Sequence, residues 1–471
     1  MDSTRVHAYA DDALGEHDAT ALAGLLAAGA LSRREVLEAA IARIEKVQPE
    51  LNAVRHADFE GALAAPAGSG PFAGVPTFIK DNTDVAGLPS QHGSTAFTAR
   101  PAAAHAPISR LLLGLGLANL GKSTLPEFGF NASTEYAGLP PTRNPWNPAY
   151  SSGASSGGSA ALVASGAVPL AHANDGGGSI RIPAAACGLV GLKPTRGRFP
   201  APAGHGLLPV GIVSEGVLTR SVRDTARVFT GIERTHRPSG GLMPAGGVEG
   251  PGRRRLRIGL VLDSITGQRT DDETRTAVEE AARLLEGMGH QVSPVEITAA
   301  PTFPADFALY WELLAHLLSS NGKRMFARDF DRRALDPLTA GLARQFRTHR
   351  RRLPGAVLRL RRTKADYARM FTGADVVLSP VLAHTTPPLG HLSPEAGYER
   401  LFAHLTDYVA FTPFNNTAGG PGLSLPMGRT ADGLPIGVHF SAAHGDERTL
   451  LQLAFEIEEA VPWRRIQDRE S

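Results

Sequence analysis

Cysteine is nearly missing from this sequence: Cys187 stands alone among 471 residues, which excludes an intrachain disulfide and gives no support for a thiolate metal site. Net charge is nearly missing as well. The formal charge is +2, too small to point to nucleic acid or an acidic membrane surface as a partner. No apolar run reaches the length of a membrane span, because Gly, Pro or a charge interrupts each one. The opening residues, MDSTRVHAYADDALGEHD, are polar and acidic where a secretory signal would be basic and then apolar. The 16 histidines are scattered, with no H-E-x-x-H and no close ligand spacing beside a carboxylate. Neither a metal nor any other cofactor is therefore expected. What these absences leave is a soluble, cytoplasmic protein with no nucleic-acid or membrane partner.

What is present is enough chain for a large core, with an ordinary 42% apolar and 20% charged composition. The first fifty residues read as helices. Ser32-Arg33-Arg34-Glu35 has the form of a capping box, and Val36, Leu37, Ala40, Ile41, Ile44 and Val47 follow at helical spacing. From about residue 72 the texture changes to short apolar runs broken by Gly, Pro and Asn, which places the chain in the α/β class. A linker-like stretch, HRPSGGLMPAGGVEGPGRR, precedes a strand (LRIGLVL), an amphipathic helix from Asp271 to Gly287 and a second strand (HQVSPVEI). ADVVLSPV reads as another strand. LSLPMGRTADGLPIGVHF reads as two strands joined by a turn at Asp432-Gly433.

Some features invite a function and then weaken under inspection. Gly116 to Ser123 fits the phosphate-loop expression G-x-x-x-x-G-K-[ST], yet Pro126 and Glu127 follow almost at once. The preceding ISRLLLGLG resembles a helix end, so the required strand-to-helix order is missing. The arginine-rich segment from Arg344 to Lys364 has Leu and Val interleaved, as a solvated helix surface does. His172, seven residues before Ser179, sits inside VPLAHAND and reads as a hydrogen-bonded core histidine more readily than as a base.

Glycine carries the chemistry. Residues 151–183 read SSGASSGGSAALVASGAVPLAHANDGGGSIRIP, two Gly/Ser clusters around an apolar run. Consecutive glycines adopt backbone angles closed to other residues, so several N–H groups can converge on an anion. In Asp175-Gly176-Gly177-Gly178-Ser179 a hydroxyl follows such a nest, which suits a nucleophile beside the oxyanion of a tetrahedral intermediate. The other cluster, ending at Ser159 before AALVA, holds more Ser and Gly than helix capping requires.

On these residues the chain resembles the amidase signature family of serine hydrolases. GVPTFIKDN, GASSGGSAALVASG and NDGGGSIRIPAAACGLVGLKPTRGR match its most specific segments in order, and TRNPWN, LTRSVRDTA and LSLPMGRTADGLPIGVHF extend the match. The resemblance implies one amidase domain over 1–471: an N-terminal helical segment (1–60), a signature core (70–235), a variable segment feeding the substrate pocket (236–400) and a C-terminal part of the core (401–471). It implies a large mixed, twisted β-sheet covered by helices on both faces. It also implies a triad of Lys80, Ser155 in a cis peptide and the nucleophile Ser179. Backbone amides of Gly176, Gly177, Gly178 and Ser179 would hold the oxyanion, with Ser156, Asp175 and Arg181 in support. Ala154 and Gly176 depart from the family pattern, which favours Gly at the first position and Thr or Ile at the second.

The chemistry implied is coherent. A serine hydroxyl needs a base, and lysine serves only when burial lowers its pKa; Lys80 lies in the apolar run PTFIK, although Asp81 beside it favours the charged form. Ser155 would relay the proton between Lys80 and Ser179. The expected activity is hydrolysis of a linear, non-peptide carboxylic amide, with a small-molecule amide as partner and a homodimer as a common state. Competing readings are a glutamine-hydrolysing amidotransferase subunit, a non-catalytic binding protein on the same scaffold and a cysteine hydrolase using Cys187, for which a small buried apolar role is the plainer account. Loops SPVLAHTTPPLG and TPFNNTAGG, together with the variable segment, are expected to line a mostly apolar acyl pocket.

Overall fold

The computed structural model describes residues 5–202, 204, 206 and 208–468. Its first long helix, Arg33–Leu51, starts where the capping box predicts: Glu35 N–H donates to Ser32 Oγ at 3.2 Å and Ser32 N–H to Glu35 Oε2 at 2.8 Å. Its apolar face, from Val36 to Leu51, is buried.

Two sheets follow. The smaller has three strands, Val54–Ala57 (β1), Pro76–Lys80 (β2) and Ala118–Ser123 (β3), in the order β1-β3-β2, with β2 and β3 parallel. A short ribbon pairs Arg143–Asn144 (β4) with Asn147–Ser151 (β5). The larger sheet uses Leu170–Asp175 (β6), Val190–Lys193 (β7), Ser214–Thr219 (β8), Arg257–Leu260 (β9), Gln291–Pro294 (β10), Val376–Pro380 (β11), Gly422–Arg429 (β12) and Pro435–Ala442 (β13). These eight strands lie in the order β10-β9-β11-β13-β12-β7-β8-β6. Pairs β10/β9 and β9/β11 are parallel and the rest antiparallel, so the sheet is mixed.

Strands β6, β7, β8, β11 and β13 are buried at every position, which requires cover on both faces of the sheet. The edge strand β10 is mostly exposed. The predicted helix appears as Asp272–Gly287 with Asp271 as its N-cap, and Gly433 holds the expected turn between β12 and β13 at φ +86°. Residues 236–254 form no helix or strand. Among the described residues no helix is long and apolar enough to cross a membrane.

The phosphate-loop match dissolves in this fold. Helix Pro107–Gly114 leads into β3, the reverse of strand into helix. Lys122 lies inside that strand, buried, with Nζ donating to Ser90 Oγ at 2.9 Å, and the strand is followed only by a three-residue helical turn, Glu127–Gly129. The arginine-rich segment spans helices Pro337–His349 and Leu353–Met370, which bury Leu338, Leu342, Phe346 and Leu360 and leave most of the arginines exposed.

Candidate active site

Strand β2 is buried at all five positions, and Lys80 is its last residue. Its main-chain N–H donates to His172 Nδ1 at 3.3 Å, and Thr77 Oγ1 donates to the Leu170 carbonyl at 3.1 Å. These contacts lay the end of the small sheet beside the edge strand β6 of the large one. His172 Nε2 faces Glu215 Oε2 at 3.0 Å, so both ring nitrogens are engaged and His172 is the core histidine its context suggests.

The Lys80 ammonium group donates to Ser155 Oγ at 2.7 Å and to Asn174 Oδ1 at 2.8 Å. Its neighbour Asp81 turns away, accepting from Gln91 N–H and lying 3.9 Å from Lys122 Nζ. Lysine pairing with the adjacent aspartate is therefore not what this site contains. Complete burial pushes the Lys80 amine down to about 7, against an opposing pull from the Glu215 and Asp175 carboxylates. Ser155 follows the one cis peptide bond found among the described residues, Ala154–Ser155.

Ser156 occupies the N-cap position of helix Gly157–Ala164 without a side-chain cap bond; its Oγ donates to the Asn174 carbonyl at 3.4 Å. Helix capping thus does not account for this cluster. Asn174 is not among the site residues expected from the sequence. The available signal was a polar side chain at the end of a strand that is otherwise mostly apolar.

The second cluster is organised by Asp175. Its carboxylate accepts from Gly178 N–H at 2.7 Å, Ile180 N–H at 3.2 Å and Asn416 Nδ2 at 2.8 Å. The Arg181 guanidinium grips both oxygens, Nε to Oδ2 at 2.9 Å and Nη2 to Oδ1 at 3.0 Å. Burial opposes this carboxylate, yet the Arg181 charge and hydrogen bonds outweigh it and hold Asp175 well below the usual carboxylate range. Gly178 has φ +135°, and a Cβ there would sit 2.4 Å from Thr412 Oγ1, so glycine is required on both counts.

This geometry corrects the expectation for Gly178. Its amide is spent inside the loop on Asp175, which leaves the amides of Gly176, Gly177 and Ser179 as candidates for an anion. Thr412 Oγ1 braces the same loop from outside, donating to the Gly177 carbonyl at 2.6 Å.

Ser179 lines two cavities at once. One, of about 110 Å³, is walled mainly by apolar residues such as Ile182, Phe303, Phe307 and Leu405. The other, of about 650 Å³, also includes Ser155, Asn174 and Gly176 in its wall. The structure thus joins Lys80 directly to Ser155 and brings Ser155 and Ser179 to one cavity; no direct hydrogen bond from Ser179 to either partner is seen among the described residues. Such contacts commonly tighten only once substrate is bound.

The pocket loops come out differently from expectation. Segment 379–390 contributes to neither of these cavities and lies instead against a tight crevice of about 10 Å³ beside Gly437. From TPFNNTAGG only Pro413 reaches the wall, while Thr412 and Asn416 brace the glycine loop. Of the expected variable segment, helix Phe303–Met325 supplies Phe303, Phe307 and Trp311 to the wall, and helix Tyr398–Tyr408, which lies mostly beyond residue 400, adds Phe402 and Leu405. Cys187 is buried away from both cavities, its Sγ donating to the Ser152 carbonyl at 3.4 Å, and burial raises its thiol far above the usual range. That is no setting for a thiolate.

Comparison with known proteins gives a consistent picture. A family model described as Amidase matches residues 35–451. The chain is 51% identical over 467 residues to the "Putative amidase AmiC" of Mycobacterium leprae (strain TN), covering 98% of this chain and 99% of that one. It is 36% identical over 473 residues to the 6-aminohexanoate-cyclic-dimer hydrolase of Paenarthrobacter ureafaciens, covering 95% of each. Among solved structures, a 6-aminohexanoate cyclic dimer hydrolase superposes with a TM-score of 0.86 at 32% identity, over 97% of this chain and 99% of that one. A bacterial aryl acylamidase of the amidase signature family superposes at 0.84 and 25% identity, over 95% and 96%.

Proposed function

Since the chain belongs to the amidase signature family and is an amide hydrolase acting on C–N bonds, we propose that it cleaves a linear, non-peptide carboxylic amide through an acyl-enzyme on Ser179. The observation that carries this reading is the buried 2.7 Å contact between Lys80 Nζ and Ser155 Oγ, with Ser155 and Ser179 on the wall of one cavity.

The steps follow from that contact. Deprotonated Lys80 accepts the Ser155 proton, Ser155 accepts the Ser179 proton, and Ser179 Oγ adds to the carbonyl carbon. The negative charge forming on the carbonyl oxygen meets the amides of Gly176, Gly177 and Ser179. As the C–N bond breaks, Ser155 gives its proton to the leaving nitrogen and recovers one from Lys80. Water entering by the same relay then releases the carboxylate.

A cyclic amide is the second reading, favoured by the cyclic-dimer hydrolases among the relatives and by the size of the larger cavity. Glutamine is disfavoured, because the smaller cavity carries no Asp, Glu, Lys, Arg or His to meet a zwitterionic acyl portion. The test is intact-protein mass spectrometry after brief exposure to linear and cyclic amides. An acyl adduct on Ser179, absent from Ser179→Ala, supports the proposal; turnover retained by Ser179→Ala refutes it.

A further inference from the structure

The two cavities beside Ser179 have different chemistry and a shared wall. Gly129, Phe130, Ser179 and Trp311 line both. Trp311 is the largest of these. Its indole stacks on Phe307 with centroids 5.5 Å apart and meets Phe130 edge-on at 5.4 Å. Its Nε1 donates to the Phe130 carbonyl at 3.2 Å, so the ring is fixed in orientation. A Cβ placed on Gly177 would lie 3.6 Å from the Trp311 ring, which therefore abuts the loop beside Ser179.

Which part of an amide enters which cavity is decided by the proton. The leaving nitrogen must receive its proton from Ser155, and Ser155 lines only the larger cavity. The amine side therefore faces the larger cavity, whose wall includes Asp84, Arg100, Glu215 and Asn82. The acyl side is left with the smaller one, where a charged group would be stripped of water and meet no oppositely charged side chain.

Resting on the relay reading of Ser155 given above, we propose that Trp311 is the specificity-determining partition of the site. It confines an uncharged, apolar acyl group to the smaller cavity and keeps the larger, polar-tolerant cavity for the amine. The substrate class is then an amide of a compact hydrophobic acid with a bulkier amine. Trp311 lies in the N-terminal half of helix Phe303–Met325, and Ala308 lies one turn earlier on the same helix in the smaller cavity alone.

The experiment measures kcat/KM for propionyl, hexanoyl, decanoyl and succinyl p-nitroanilides with the full chain. Wild type favours the shorter uncharged acyl groups and turns over the succinyl compound at least ~100-fold more slowly than the hexanoyl one. Trp311→Ala, which joins the cavities, raises the decanoyl-to-propionyl ratio by ~10-fold or more, and Ala308→Phe, which adds bulk to a half-exposed position, lowers it by a similar factor. Phe326→Ala alters only the larger cavity and leaves the ratio unmoved. Ratios unchanged in both Trp311→Ala and Ala308→Phe overturn the partition while leaving the amidase reading intact. A Phe326→Ala ratio that shifts like that of Trp311→Ala overturns the assignment of the cavities. A wild type that cleaves no member while Ser179 also fails to react with a fluorophosphonate overturns the relay reading, and the partition with it.

Discussion

Asn174 offers Lys80 an amide oxygen at 2.8 Å while donating its own Nδ2 to Asn82 Oδ1 at 3.1 Å. A neutral acceptor holds the amine in place without setting a full negative charge beside it, and burial lowers its pKa to about 7. Replacing Asn174 by Asp adds a negative charge at that distance. The acid limb of the pH–rate profile then moves up by ~1–3 pH units, with the alkaline plateau height largely kept. A limb that stays in place under Asn174→Asp separates Lys80 from the titration.

Under the proposed relay, the base form of Lys80 is the reactive one in the unsubstituted protein. Its folded-state value is depressed to about 7, so kcat/KM rises about tenfold per pH unit below that point and levels off above it. Lys80→Ala loses ~10³-fold or more and loses the limb with it. Initial rates from pH 5 to 9, measured on one uncharged amide, check both.

Ser179→Ala abolishes turnover and fluorophosphonate labelling together. Ser155→Ala lowers kcat by ~10³-fold while the substrate KM changes little, since a relay hydroxyl contributes to the transition state more than to binding. A Ser155→Ala enzyme with its loss confined to KM contradicts the relay.

Asp175→Ala leaves the fully buried Arg181 guanidinium without its carboxylate, a loss of ~3–5 kcal/mol of stability visible in urea unfolding. In the unsubstituted protein this carboxylate is depressed in the folded state. Its contribution is therefore fully present above about pH 4 and is lost as the pH falls further.

Glu127 behaves in the opposite sense. Burial, and then repulsion from Asp336, raise it to about 8, and its oxygens accept from Ser94 Oγ at 2.7 Å and Asp336 N–H at 2.8 Å. The folded state holds a proton that the unfolded chain has given up, so stability declines as the pH rises from the ordinary glutamate value of 4.5 toward 8. Glu127→Gln keeps stability within ~1 kcal/mol at pH 5.5 and flattens that decline. Urea midpoints at pH 5.5 and 8.5 show whether it does.

The local parts of this protein were legible in its sequence because their signals are local. A capping box sets a helix start within four residues, apolar spacing marks the buried faces, and consecutive glycines before Ser179 mark a loop whose backbone is close to an anion and a hydroxyl. Lys80 in PTFIK also carried its burial in its neighbours. The partners were a different matter. Asn174 against Lys80, Thr412 and Asn416 against the glycine loop, and Trp311 between two cavities each join segments about ninety to more than two hundred residues apart. Sheet order and helix docking set such distances, and no residue spacing encodes them. The commitment of the Gly178 amide to Asp175 is of the same kind. Its N–H is identical in sequence terms to those of Gly176 and Gly177, and only the folded loop, with Gly178 at φ +135° packed against Thr412 and Ile182, sets it against the Asp175 carboxylate. Sequence thus determined the candidate groups and the backbone able to present them; tertiary packing decided which of them meet and how large the cavities beside them are.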